Sequence, residues 1–461
     1  MSYFETTFEK LSSVMRGFTV SLILITGALP ALYAGHLADR LGRTYAVAVG
    51  ALVFAVGSAL QGGSSELPMF LVGRGLAGIG EGLWLSNINV YITEIAPSAR
   101  RGMLVSMPQF QCTAGICAGY FTCYGSSGIN SSMSWRLPFI LQSALAVLLT
   151  LSCLLLPKSP RWLMFHGHRE EAMRELDRLD VSRAEAEKDI LRPAEQGRPN
   201  SSQPTSKGFL TIFQRQYRSR TILGLFVLAM VQLCGIDSVL YYAPTLFRQA
   251  GLPSETATFL ASGVSSILML AISIPAFLYA DRWGRRTLAI TGGIVLSSCM
   301  LTIGSLYASK SVHAHEGAGK WIVIVLIFAF ALAYCATWAV FGKIYASEIQ
   351  PAHTRAAANS LAQGLNFLTN WIVSFATPIF LAHSSFGAYF LFGFLSLATV
   401  MVLAVYMPET RGQSLESIQE AFHRPVARSW AHHIRGLWSG PSSSGRRSEI
   451  SLQGVLREGT E

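Results

Sequence analysis

Four charged residues stand inside long apolar runs of this sequence: Arg74, Glu81, Asp237 and Lys343. A charge at the centre of a bilayer costs about 2.5–3.5 kcal/mol on insertion scales, so each needs a partner or a purpose. Arg74 and Glu81 are seven residues apart, about 700° of helical turn and roughly 10 Å, so they share one helix face. That makes Glu81 a candidate proton site, and equally a packing carboxylate bonded to nearby backbone or Asn. Asp237 and Lys343 could pair with each other or bind an anionic or zwitterionic group. A second set of charges recurs at helix ends. Asp39, Glu94, Asp281 and Glu348 lie near Arg40, Arg43, Arg101, Arg282, Arg285, Arg286 and Arg355. Ion pairs there can hold two helical bundles together, and must break when a cavity opens between them. The alternative is basic decoration of one membrane face, where surface pairs are worth little. The repeated Glu-to-Arg spacing favours the gate. None of this is enzyme chemistry, because no nucleophile, metal cluster or phosphate loop stands above background. The 7 Cys show no CxxC pair, so neither a metal, a disulfide framework nor a cofactor is expected.

The elements that position these groups follow from composition. The 461 residues are 51% hydrophobic and 13% charged, where a soluble protein carries roughly 25% charged residues. A bilayer span needs about 20 apolar residues, and eleven runs qualify: 15–36, 44–63, 67–91, 103–124, 136–156, 220–247, 256–280, 286–308, 321–347, 356–382 and 386–407. A signal peptide followed by a soluble domain is excluded, because apolar runs recur to residue 407. Alternate connections hold most of the 36 Lys and Arg, while the opposite side holds Lys10, Arg16, Arg136, Arg248, Lys310 and Lys320. The basic side is expected to be cytoplasmic, with the C-terminus inside. The net charge of +10 follows this topology and gathers on no face suited to nucleic acid. Residues 157–219 read as a cytoplasmic linker with a helix at Arg169–Leu176 and a Pro/Ser-rich stretch at 193–206. The tail, 408–461, is Ser/Gly/Arg-rich and reads as largely disordered.

Three motifs occur twice. Asp39-Arg40-Leu41-Gly42-Arg43 recurs as Asp281-Arg282-Trp283-Gly284-Arg285. Thr93-Glu94-Ile95-Ala96-Pro97, followed by Arg101, recurs as Ser347-Glu348-Ile349-Gln350-Pro351, followed by Arg355. Pro157-Lys158-Ser159-Pro160-Arg161 recurs more loosely as Pro408-Glu409-Thr410-Arg411-Gly412. Parallel halves of this kind mark a transporter with its site between them. The expected bundles are 15–156, with five spans, and 220–407, with six. Two spans precede Asp281 but one precedes Asp39, so by its own symmetry the chain lacks a first helix. Residues 1–14 then read as the remnant of an external linker.

These motifs resemble the sugar porter family of the major facilitator superfamily. The resemblance runs over about residues 15–420. It takes in Gly35 with the Asp39–Arg43 loop, Arg74-Gly75-Leu76-Ala77-Gly78, Glu94 to Gly102 and Pro157 to Leu163. It continues through Gln232-Leu233-Cys234-Gly235-Ile236-Asp237, Tyr241-Tyr242-Ala243-Pro244, Ser347-Glu348-Ile349 and Pro408 to Gly412. It implies an all-α membrane protein, a twelve-helix fold of two parallel-repeat bundles with eleven helices found, and alternating access. The implied substrate is a monosaccharide, polyol or related hydroxylated compound, with or without proton symport. A sugar acid, a non-transporting nutrient sensor and an inactive product of a truncated gene are the alternatives. The implied partners are the substrate, protons and the lipid bilayer, and the implied location is the plasma membrane.

The resemblance also implies site residues. A neutral sugar needs amides, which donate and accept hydrogen bonds, and Gln109, Gln232, Asn366 and Asn370 match the family's pocket amides. Buried amides that only tie helices together are the alternative. Tyr241 and Tyr242 read as gate or packing aromatics. Arg74 matches the family's fourth-helix arginine, whose acidic partner on the first helix has no counterpart here. Asp39, Arg43, Glu94, Arg101, Asp281, Arg285, Glu348 and Arg355 match the cytoplasmic gate. Five positions depart from the pattern. Val231 replaces a glutamine, Asp237 an asparagine, Met269 an asparagine, Lys343 the pocket tryptophan and Val340 the proline that flexes the tenth helix. The pocket thus gains a carboxylate and an ammonium, and both are candidate substrate contacts.

Overall fold

The computed structural model describes residues 2–8, 11–96, 101–179, 212–215, 217–251, 255–279, 283–312, 318–350, 352–384 and 386–410. The regular elements among them are all helices: α1 Ser2–Phe8, α2 Ser13–Leu41, α3 Arg43–Gly63, α4 Leu67–Ile95, α5 Arg101–Ser127, α6 Met133–Leu155, α7 Pro160–Phe165 and α8 Arg169–Arg178. They continue as α9 Arg218–Leu233, α10 Ile236–Gln249, α11 Glu255–Leu278, α12 Arg285–Ala308, α13 Ala318–Ala336, α14 Trp338–Glu348, α15 Ala352–His383 and α16 Gly387–Tyr406. With α9/α10 and α13/α14 each taken as one broken run, the described residues hold the eleven runs expected from sequence. Nine are apolar enough throughout to qualify as spans by composition. The two that fall short, α4 and α5, carry Arg74 and Glu81 and the Gln109, Gln111 and Thr113 series respectively. Outward positions such as Leu145, Leu148 and Leu155 of α6 and Phe394 and Met401 of α16 are exposed apolar side chains. Such faces suit hydrocarbon rather than water.

The motif repeat maps α2 on α11, α3 on α12, α4 on α13/α14, α5 on α15 and α6 on α16. The packing obeys that map. Within the first bundle α3 packs on α4 and α6, and within the second α12 packs on α13 and α16. Between bundles α2 packs along α15, and α11, its counterpart, packs along α5. The α9/α10 run lies against α11, α14 and α15 of the second bundle, and the first bundle has no counterpart to it among the described residues. Glycines let α4 approach both of its neighbours. A Cβ on Gly78 or Gly82 would strike the α2 backbone, and one on Gly80 the α3 backbone. Small residues of this kind are how membrane helices come close without a hydrophobic driving force. They fix the helix that carries Arg74 and Glu81.

Two helices of the second bundle break between the membrane faces. At Gly235 the backbone has φ 89°, a left-handed conformation that glycine adopts without steric cost. A Cβ there would also enter the Phe392 ring. At Thr337 the backbone leaves helical values at φ −126°, ψ −78°, although Val340 stands where the family has proline. The Thr337 hydroxyl instead donates to the Ala333 carbonyl at 2.6 Å, a back-bond that bends helices.

Outside the bundles, α7 and α8 form a small unit around Leu163, Met164, Ala172 and Leu176, and α8 is the helix expected at 169–176. The stretch 193–206 and the tail beyond residue 410 lie outside the described residues. The linker expected at 1–14 is helical over Ser2–Phe8. Aromatic packing holds that helix: Phe4 lies edge-on against Phe8, Phe70 and Trp135, and Phe8 edge-on against Trp135, in a cluster that also takes in Phe139.

Candidate functional site

The charged motifs build the same cluster twice. In the first bundle the Arg43 Nε donates to Glu94 Oε2 at 3.0 Å, and its terminal NH2 group donates to Glu94 Oε1 at 3.1 Å. Asp39 lies 2.8 Å from the same guanidinium, and the Ser159 hydroxyl donates to Glu94. In the second bundle Arg285 pairs with Glu348 at 3.0 Å. There the Thr410 hydroxyl donates to Glu348 at 2.8 Å, in the place that Ser159 takes in the first bundle. Glu409 adds bonds from the backbone N–H groups of Arg285 and Arg286, at the start of α12, where a helix favours a carboxylate. The described ion pairs Arg43–Glu94 and Arg285–Glu348 each join elements of one bundle. The reason is the motif spacing, which brings each Arg to the end of the helix beside its own Glu. Asp281 and the side chains of Arg101 and Arg355 lie outside the described residues.

An apolar contact joins the bundles at this motif end. Val105 of α5 packs with Ala276 of α11 and Val340 and Ile344 of α14, with Ile92 of α4 beside them. Phe110 and Phe277 stack across the same boundary, ring centres 5.6 Å apart.

Deeper between the bundles, Lys343 Nζ donates to Gln109 Oε1 at 2.7 Å, a bond from α14 of one bundle to α5 of the other. Asp237 stands near enough to Lys343 to interact electrostatically, but the two form no ion pair. The buried Asp237 Oδ2 has no hydrogen-bond partner among the described residues. Asp237 is the second residue of α10, directly after the Gly235 break, and the positive end of the helix dipole favours a carboxylate there. Gln232 Nε2 donates to Asn366 Oδ1 at 3.3 Å, and Asn366 Nδ2 donates to the Leu228 carbonyl at 3.0 Å. These amides tie α9 to α15, yet Gln232 Oε1 is left without a partner among the described residues. Asn370 accepts from Ser374 at 2.9 Å and lies near Tyr241.

From the first bundle, Arg74 donates to Gln61 Oε1 at 3.2 Å and to the Val20 carbonyl at 3.4 Å, and its guanidinium lies over the Phe70 ring. Glu81 is in electrostatic reach of Arg74, Tyr241 and Cys112, and no described residue donates a hydrogen bond to it. Tyr241 and Cys112 keep exposed surface although they sit between the bundles, so the space they border is open. Six expected contacts, Gln109, Gln232, Asp237, Lys343, Asn366 and Asn370, are thus carried by helices bordering one boundary, with Arg74 and Glu81 across it. Tyr242, by contrast, is buried and bonds to the Ser374 carbonyl at 3.0 Å, a packing role. Val231 and Met269 are buried in the second-bundle core, so their loss of amides leaves the space tightly packed rather than empty.

Comparison with known proteins adds identity to this geometry. The family profile described as "Sugar (and other) transporter" matches residues 2–422. The chain belongs to that family. Rice sugar transport protein MST3 is 30% identical over 88% of this chain and 79% of its own length. The MFS-type transporter criB of Aspergillus cristatus is 31% identical over 90% of this chain and 86% of its own. Among solved structures, the proton:xylose symporter XylE bound to 6-bromo-6-deoxy-D-glucose superposes with a TM-score of 0.78 at 24% identity, covering 91% of this chain and 93% of that one. That likeness shows the fold. This family member is therefore an all-helical, multi-pass membrane transporter of the major facilitator type.

Within the transporter, sequence reasoning missed two groups of residues. Cys112 lies three residues after Gln109 and borders the same space, near Lys343, Glu81 and Asp237. Its helical spacing from Gln109 was the available signal. The apolar closure of Ile92, Val105, Ala276, Val340 and Ile344 carried no signal, since an apolar residue facing lipid and one facing another bundle read alike.

Proposed function

We propose that this chain is a secondary transporter that moves a monosaccharide or polyol through the space between its bundles by alternating access. The observation that carries the reading is the convergence of polar side chains from both bundles there, with the Lys343–Gln109 bond crossing the boundary. Groups contributed by both halves sense a solute whichever way the halves rock. Gln109, Gln232, Asn366 and Asn370 serve as the hydrogen-bonding amides, and Gln232 Oε1 and Asp237 Oδ2 are acceptors awaiting a hydroxyl donor. Glu81, near Arg74 and free of described hydrogen-bond donors, is the carboxylate on which proton symport would run. The paired Arg–Glu–hydroxyl clusters brace each bundle at the cytoplasmic face, where the basic connections and the C-terminus lie, and the apolar contact between α5, α11 and α14 closes the cavity on that side. The plasma membrane is the proposed location. The rice relative's name as a sugar transport protein accords with this reading.

The test is uptake of labelled hexoses and hexitols by the full chain in proteoliposomes, with and without an inward proton gradient. Gln109→Ala and Gln232→Ala should each cut uptake at least tenfold at equal protein density. Uptake unchanged in both variants would remove this cavity as the substrate site.

A further inference from the structure

Lys343 and Asp237 are opposite charges that border one space between the bundles and do not touch. Lys343 directs one N–H to Gln109 Oε1 and has two more to give. Asp237 is 7% exposed and its Oδ2 is unpartnered. Each charge arises from a different broken helix: Asp237 two residues after the break at Gly235, Lys343 six after the break at Thr337. The breaks fix the two helix starts separately, so the charges are held apart rather than free to collapse onto each other. The other charges bordering the space, Arg74 and Glu81, are again one cation and one anion, so the four formal charges cancel.

We propose that Lys343 and Asp237 form a separated ion pair that selects uncharged hydroxyl groups and rejects both acids and amines. This rests on reading the site as a sugar or polyol site, and assigns its charge selectivity. A hydroxyl both donates and accepts. Placed between the two charges, it gives its proton to Asp237 Oδ2 and takes an N–H from Lys343. A carboxylate accepts only, and meets the negative Asp237 with no proton to offer. An ammonium donates only, and meets the positive Lys343 with no lone pair. The site therefore works by repulsion as well as attraction, and each charge screens out the ligand that the other alone would draw in.

The experiment compares three probes of one shape, D-glucose, D-glucuronate and D-glucosamine, on the purified full chain. Binding is read as ligand-induced thermal stabilisation and transport as uptake into proteoliposomes, at a pH where the acid is anionic and the amine cationic. Wild type should favour glucose over both charged probes by at least tenfold. Asp237→Asn should raise the glucuronate-to-glucose ratio at least tenfold without raising glucosamine. Lys343→Gln should do the reverse. The double variant should return to the wild-type order, because no net charge remains to attract either probe. Ratios unchanged in both single variants, or shifted the same way in both, would overturn the proposal. Where a single variant fails to accumulate, Asp237→Ser and Lys343→Met give the same reading. If wild type neither binds nor moves glucose, the sugar reading fails. The separated pair then still stands or falls on whether each single variant gains the probe of opposite charge.

Discussion

Replacing Glu94 by Ala tests whether the motif clusters brace each bundle or gate the boundary between them. Glu94 accepts two N–H groups of Arg43 and the Ser159 hydroxyl. The side chains of the pair are 9% and 15% exposed, so water does little to replace what is lost. Removing one partner of a buried pair costs about 3–5 kcal/mol, since the other charge is left uncompensated. Arg43 retains Asp39 at 2.8 Å and the Ala38 carbonyl at 3.2 Å, which places the cost at the low end, about 3 kcal/mol. For a unit of bundle size, 1 kcal/mol moves the melting temperature by about 2–4 °C, giving a fall of about 6–12 °C. Glu348→Ala should act in the same direction but less, because Glu348 is 26% exposed. The two clusters share no partner, so the double variant should lose the sum. The assay is thermal unfolding of the purified protein beside uptake at matched protein density. An unchanged melting temperature with a large loss of turnover in Glu94→Ala, or strong non-additivity with Glu348→Ala, would refute bracing and restore an inter-bundle gate.

Three further outcomes follow from the same geometry. Ile344→Ala removes buried apolar contact from the closure between α5, α11 and α14, at a cost of about 2–5 kcal/mol for a buried Ile. It should speed labelling of Cys112 by a membrane-impermeant thiol reagent applied from the motif side, and unchanged labelling would show that the closure lies elsewhere. Glu81→Gln should abolish proton-driven accumulation of substrate while leaving counterflow exchange intact; accumulation surviving the change excludes Glu81 as the proton site. Gly235→Ala should lower the yield of folded protein, since its φ of 89° strains any side chain and Phe392 occupies the space a Cβ needs. Phe392→Ala in the same chain should relieve the clash but not the backbone strain, so recovery should be partial.

The spans and the repeat were legible because a bilayer admits few solutions. Apolar runs of helical length must cross it, and Glu94 and Glu348 each had one Arg motif and one hydroxyl-bearing motif in the same half to pair with. Even the loose match of Ser159 to Thr410 proved structural, since both hydroxyls bond the equivalent Glu. The partners across the boundary were not legible. Lys343 had two candidate counter-groups, Asp237 or a substrate, and the structure gives it a third, Gln109, which lies 234 residues away in sequence. Nothing in residue type separates these. The choice depends on how two bundles dock, which residue type alone does not reveal.

The break at Thr337 carries the same lesson into local structure. Reading Val340 as the loss of a flexing proline implies a straighter tenth helix, because proline is the residue that sequence patterns report as a breaker. The structure breaks the helix regardless, three residues earlier, with a hydroxyl in the place of the missing ring. Gly292 of α12 lies against Thr337 with no room for a Cβ between them, so the bend is held by a neighbour as well as by its own back-bond. A helix broken by packing is invisible to a rule about its own residues. That break aims Lys343 at the boundary, just as the Gly235 break aims Asp237, so the two departures from the family's pocket rest on two interruptions, neither of them read from the sequence. The charge selectivity proposed for the site depends on both, and a change that straightened either helix should blur it without touching a charged residue.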